Sequence, residues 1–112
     1  MGKRVKIKRN YSYMDISILQ ENGATIVNIV GRLDTVTSPR LEQAVKPLID
    51  LGATVVFNCE QMEYVSSSGL RVVLSTHKQL AAVGGRFIVR NLNNEVRSVF
   101  DLTGFSRLLT IE

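Results

Sequence analysis

The chain has 112 residues, enough for one domain with a real core and too few for a second. Its hydrophobic fraction of 45% is mainly aliphatic, no apolar run nears the ~20 residues of a bilayer span, and no signal-peptide stretch follows the basic N-terminus, so a cytoplasmic protein is expected. The net charge of +4 excludes less than it suggests, because Lys3, Arg4, Lys6, Lys8 and Arg9 are five of the 14 basic residues and leave nine against ten acidic ones, a nearly neutral remainder behind a basic leader over residues 1–13 that reads as a flexible, solvated arm and not as a nucleic-acid reader.

Asp15-Ile16-Ser17-Ile18-Leu19 alternates apolar and polar residues, Asn22-Gly23 is a turn signal, and 24–30 is a second β-rich run, so the domain should open with a hairpin. Ser38-Pro39 announces a helix, with Ser38 as its cap and Pro39 at the first position, where a missing N–H costs nothing. Leu41, Ala44, Val45, Leu48 and Ile49 form its apolar stripe, and Gly52 closes it. Thr54-Val55-Val56-Phe57-Asn58 reads as a buried strand. Leu70, Val73, Leu74, His77, Leu80 and Ala81 then recur at helical spacing, which predicts one helix from 68 to about 83. Beyond Gly84-Gly85, residues 86–90 read as a fourth strand. Asn94 opens a third helix with Val96, Val99 and Phe100 inward, Thr103-Gly104 ends it, and 108–111 forms a last short strand. Strands alternating with helices after a hairpin predict a mixed sheet covered by helices, because right-handed crossovers set parallel strands side by side.

Catalytic equipment is sparse. The single cysteine, Cys59, forbids an internal disulfide and reads as an inert, partly buried thiol, while His77 is its only soft companion, too few for a structural zinc site. His77 falls on the apolar stripe of its helix and reads as a packing residue. No hydrolase elbow surrounds the serines and Gly84-Gly85 lacks the lysine of a nucleotide loop, so neither enzyme, metal nor cofactor is expected.

Tyr64-Val65-Ser66-Ser67-Ser68-Gly69-Leu70 puts three hydroxyls at the mouth of the second helix, where they can cap free N–H groups and where the helix dipole favours an anion. Ser66-Ser67-Ser68-Gly69-Leu70 resembles the Asp-Ser-Ser-Gly-Leu motif of the STAS domain, as found in bacterial anti-sigma factor antagonists. Gly31-Arg32-Leu33-Asp34 is similar to that family's Gly-x-Leu-Asp, and two further segments match in order: Gly84-Gly85-Arg86-Phe87, then Val96-Arg97-Ser98-Val99-Phe100-Asp101-Leu102-Thr103-Gly104. The resemblance runs from about Met14 to Ile111 and implies an α/β, STAS-like mixed sheet of about four to five strands with about three helices, filling residues 14–112.

In that family the first serine after the motif aspartate is phosphorylated by a partner that is both anti-sigma factor and serine kinase. The unphosphorylated form binds this partner and frees the sigma factor; the phosphorylated form does not, until a serine phosphatase restores it. Aligned on Gly69-Leu70, the acceptor position falls on Ser67. The aspartate position falls on Ser66, a departure that removes an acidic neighbour and makes Ser66 the alternative acceptor. Ser66, Ser67, Ser68 and Gly69 are thus the implied partner-binding loop, joined by Asp34, for which a backbone-bonding turn role is the other reading. Many relatives carry a further helix after the last strand, whereas this sequence stops at Glu112. Two rival functions are a STAS subunit of a signalling or lipid-transport complex that never cycles phosphate, and a small-ligand or nucleotide sensor.

Overall fold

The computed structural model describes residues 13–112, so the expected basic leader lies outside the described residues except for Tyr13. The sheet has six strands: β1 (Met14–Glu21), β2 (Ala24–Leu33), β3 (Thr54–Asn58), β4 (Met62–Val65), β5 (Arg86–Arg90) and β6 (Thr110–Ile111). The helices are α1 (Ser38–Val45), α2 (Ser67–Ala82), α3 (Asn94–Leu102) and the single turn α4 (Phe105–Leu108). β1 and β2 form the expected antiparallel hairpin, with both turn residues, Asn22 and Gly23, at positive φ. The remaining pairings are parallel, in the order β1-β2-β3-β5-β6.

β4 was not read from the sequence. It exists because β2 is ten residues long and serves two parallel partners in turn: Thr25–Asn28 pair with β3, and Gly31–Leu33 pair with β4. The register slips between Gly31 and Arg32, where Gly31 adopts φ +95° and donates its N–H to the Gln61 carbonyl at 2.9 Å. A Cβ on Gly31 would lie 2.6 Å from the Tyr13 carbonyl oxygen, so the glycine of Gly-x-Leu-Asp is required both by its φ and by this close approach. Tyr13 itself, assigned to the leader from sequence, is bound to the sheet: its carbonyl accepts the Arg32 N–H at 2.8 Å.

The core lies between the sheet and the helices. Val27, Ile29 and Leu33 of β2, Val55 and Phe57 of β3, and Phe87 and Val89 of β5 face Leu41, Val45, Leu70, Val73, Leu80, Val96 and Phe100. Phe57 and Phe87 meet edge to face at 4.7 Å, an arrangement that adds to their burial. On the opposite face, Ile26, Val56 and Ile88 form a small apolar row. Beside it an amide ladder crosses the strands: Asn91 donates to Asn58 at 2.8 Å and Asn58 to Asn28 at 2.7 Å.

Three helix expectations need correction. Ser38 does not cap α1: Thr37 holds the N-cap position, and the Ser38 hydroxyl donates instead to the Asp34 carbonyl. The α-helix then ends at Val45 and continues as a 3₁₀ turn over Lys46–Leu48, because Pro47 has no N–H to extend the ladder. In α2 the buried face is rotated from the expected stripe. Val72 and Thr76 are buried, Leu74 and His77 half-buried and Ala81 exposed, since α2 packs against α1 as well as the sheet. Near the C-terminus the chain forms α4 where strand was expected to begin, with Phe105 set edge to face on Phe100 at 6.4 Å, and only Thr110–Ile111 pair with β5.

Cys59 follows β3 and is 1% exposed, more deeply buried than expected. Burial pushes its thiol up from 9.0 to about 12. A thiol-selective disulfide reagent at pH 8 is expected to leave Cys59 unmodified in the native protein and to label it fully in urea. The same shift sets a stability window: the folded-state pKa lies above the unfolded one, so the contribution is intact below pH 9 and is lost as pH rises toward 12.

Candidate functional site

The end of β2, the loop after it and the mouth of α2 converge at one corner. Ser66 is extended (φ −98°, ψ 176°) and is the N-cap of α2, its Oγ accepting the Gly69 N–H at 3.2 Å. Its own N–H donates to the Leu33 carbonyl at 2.9 Å, which ties the start of α2 to the last residue of β2. Gly69 is buried, and a Cβ there would sit 2.7 Å from both Cγ and O of Leu33. The motif glycine therefore lets the helix mouth rest directly on the strand end.

The three hydroxyls have different surroundings. Ser66 is half-buried and used as the cap; Ser68 is half-buried with its Oγ 3.3 Å from Thr35 Oγ1; Ser67 is the first residue of α2 and is exposed. Ser67 Oγ has no hydrogen-bond partner among the described residues. α2 carries no acidic residue in its first turn, so nothing on the helix itself offsets the partial positive charge of its free N–H groups.

Asp34 is nearly buried and holds the β2–α1 loop. Its Oδ1 accepts the N–H groups of Val36 at 3.0 Å and Thr37 at 3.1 Å, an Asx-type turn. Thr37 braces the same loop from the other side, donating its hydroxyl to the Arg32 carbonyl at 2.6 Å and accepting the Asp34 N–H at 2.9 Å. Arg32 Nε lies 3.6 Å from Asp34 Oδ2, and its guanidinium stacks 4.1 Å above the Tyr64 ring. Asp34 thus has the turn role, and it also lies on the loop whose Thr35 touches Ser68.

Ser66, Ser67, Ser68, Gly69 and the Asp34 loop are therefore brought together, whereas His77 is not: its ring packs near Phe87, at 6.5 Å, well down α2. Arg32, Thr35, Val36, Thr37 and Tyr64 were not singled out from sequence. No local pattern pointed to Tyr64, and Val36 stands out only in three dimensions, as an apolar residue 66% exposed beside the serine loop. Between α1 and α2 an open groove of ≈ 330 Å³ is bounded by Thr35, Glu42, Ser68, Arg71 and Ser75. Among the described residues no group of three or more His, Cys, Asp or Glu could hold a metal, and no helix is long and apolar enough to cross a membrane.

A parallel sheet entered by a hairpin, with a serine loop capping the second helix, is the architecture of a known group. The profile of the STAS domain matches residues 15–112. The anti-sigma-B factor antagonist of Bacillus subtilis (strain 168) is 29% identical over 98 residues, covering 88% of this chain and 90% of that protein. An anti-sigma factor antagonist from Mycobacterium paratuberculosis superposes with a TM-score of 0.80 at 26% identity, over 88% of this chain and 85% of that one. The anti-sigma factor antagonist SpoIIAA in its unphosphorylated form gives 0.74 at 26% identity, over 88% of each chain. The chain belongs to the STAS domain family. These three relatives are anti-sigma factor antagonists, the group that the serine and Gly-x-Leu-Asp motifs resemble.

Two substitutions separate the roles of motif residues. Gly69→Ala is expected to cost about 1–3 kcal/mol, because the added methyl must displace Leu33 or shift the helix. Ser66→Ala removes the cap and is expected to cost about 1 kcal/mol. Urea unfolding of both variants beside the parent, compared at constant slope, checks the ranking.

Proposed function

We propose that this protein is an anti-sigma factor antagonist that works by partner switching: unphosphorylated, it binds an anti-sigma factor with serine kinase activity, and phosphorylation of Ser67 releases it. The observation that carries this is the division of labour among the hydroxyls. Ser66 is committed to the cap and Ser68 faces Thr35, which leaves Ser67 as the hydroxyl presented to solvent. The kinase would transfer the γ-phosphoryl of a nucleoside triphosphate to Ser67 Oγ, releasing the diphosphate and the hydroxyl proton. A serine phosphatase reverses the step by hydrolysis. The whole cycle takes place in the cytoplasm, with the chain as substrate and binding partner and not as catalyst.

Charge at an interface, not unfolding, accounts for release. A phosphate adds about −1.5 to −2 charges, and at a helix N-terminus the dipole favours it by about 0.3–1 kcal/mol. Against a like charge of the partner at about 6 Å, with an effective dielectric of ~20, each unit pair costs on the order of 3 kcal/mol. The modified domain therefore stays folded while its complex is destabilised. Ser67, the half-buried Ser66 and Ser68 beside it, and the loop of Asp34 with the exposed Val36 form the binding face, while Gly69, buried against Leu33, seats it from beneath. The switch is assigned to residues 14–112, and no part of it to the basic leader.

Binding measured by calorimetry against an anti-sigma factor with serine kinase activity from the same organism tests the proposal. Ser67→Ala should bind like the parent, and Ser67→Asp should bind at least about tenfold more weakly, on the order of 1.4 kcal/mol, with an unchanged circular dichroism spectrum. Ser67→Asp binding as tightly as the parent would remove the switch and favour a non-cycling structural subunit.

A further inference from the structure

Arg71 stands one turn beyond Ser67 on α2, is exposed, and borders the groove between α1 and α2 on the side of Ser68. Residues four apart on a helix lie on the same face with about 5–6 Å between their Cβ atoms, and helical side chains lean toward the N-terminus. The i, i+4 spacing thus puts the turn that begins with Ser67 within reach of the Arg71 side chain. Among the described residues it forms no ion pair, and the first turn of α2 offers no carboxylate to it. A cation so near the positive end of a helix is held at the unfavourable end of the dipole. An anion at Ser67 would relieve both charges at once.

The other arginine at this corner is already engaged. Arg32 stacks on Tyr64 and lies beside Asp34, so moving to Ser67 would cost it both contacts. We propose that Arg71 is the intrachain counter-ion of the phosphate on Ser67. It holds the phosphate over the first turn of α2, away from Glu42 on the α1 side of the groove, and gives the modified protein one fixed surface. Repulsion of the partner is then delivered at a defined place instead of by a freely rotating group. This inference rests on Ser67 being the modified residue, but its test does not require the kinase.

Phosphoserine installed at position 67 by amber suppression in the full chain provides the test, read by ³¹P NMR titration. The second ionisation of a phosphoserine falls near about pH 6. In the parent the dianion should be favoured, and Arg71→Gln should raise the phosphate midpoint by at least about 0.2 pH units, the lower end of what a charge at a helix terminus is worth when converted at 1.36 kcal/mol per unit. Arg71→Lys should retain part of the shift. Lys78→Gln, an equal change in net charge farther along α2, should leave the midpoint where it is. Superimposable titrations for the parent and Arg71→Gln, or an equal shift from Lys78→Gln, would overturn the inference. A failure of the switch itself shows differently, as a phosphoserine-67 protein that still binds the anti-sigma factor, whatever the titration gives.

Discussion

The direct seating of α2 on the end of β2 is the contact on which the rest of this corner depends. Gly69 has no side chain, so the helix mouth approaches Leu33 to a distance that a Cβ could not share, and the Ser66 N–H reaches the Leu33 carbonyl. Once the helix is seated there, its first residue is presented beside the loop that follows Leu33. Thr35 then meets Ser68, and Asp34 stiffens the loop from within. The two motifs, far apart in the chain, are therefore two sides of one contact. The bulge at Gly31 serves the same end, since it turns β2 away from β3 and onto β4, the strand that delivers Ser66.

Local magnitudes favour a surface that changes charge without changing shape. The cap at Ser66 and the Asx turn at Asp34 are each a neutral or charge-assisted hydrogen bond worth about 0.5–3 kcal/mol, and neither involves Ser67 Oγ. Modifying Ser67 consequently breaks no contact that holds the corner together. The hydrophobic core, with Phe57, Phe87 and Phe100 buried behind the sheet and helices, is insulated from the event. The proposed switch would therefore act only where a partner brings its own charge close.

Much of this was legible in the chain because local signals agreed with the fold. Alternation in β1, the Asn22-Gly23 turn, the β-branched run of β3 and the helical period of α2 are properties of short windows. β4 was not legible, since Met62-Glu63-Tyr64-Val65 is short and half polar, and its strand character comes from pairing with the far half of β2. The rotation of the buried face of α2 has a similar origin. Thr76 looked polar but sits against α1 with its hydroxyl donated to the Val72 carbonyl at 2.8 Å, so its burial costs little. Ser38 carried a sound capping signal that Thr37 displaced, because Thr37 already faced both Arg32 and Asp34. The serine loop was legible as a place, whereas the contact of Ser68 with Thr35, thirty-three positions away, was invisible to any local pattern.

Position-resolved mass spectrometry of the intact chain, after incubation with ATP and an anti-sigma factor kinase from the same organism, bears most directly on the central claim. Fragmentation across residues 66–68 assigns the phosphate to one hydroxyl. A single phosphate on Ser67, with Ser66 and Ser68 unmodified, is the predicted result. Phosphate on Ser66 or Ser68, or no phosphate under conditions in which the kinase modifies another substrate, would contradict it.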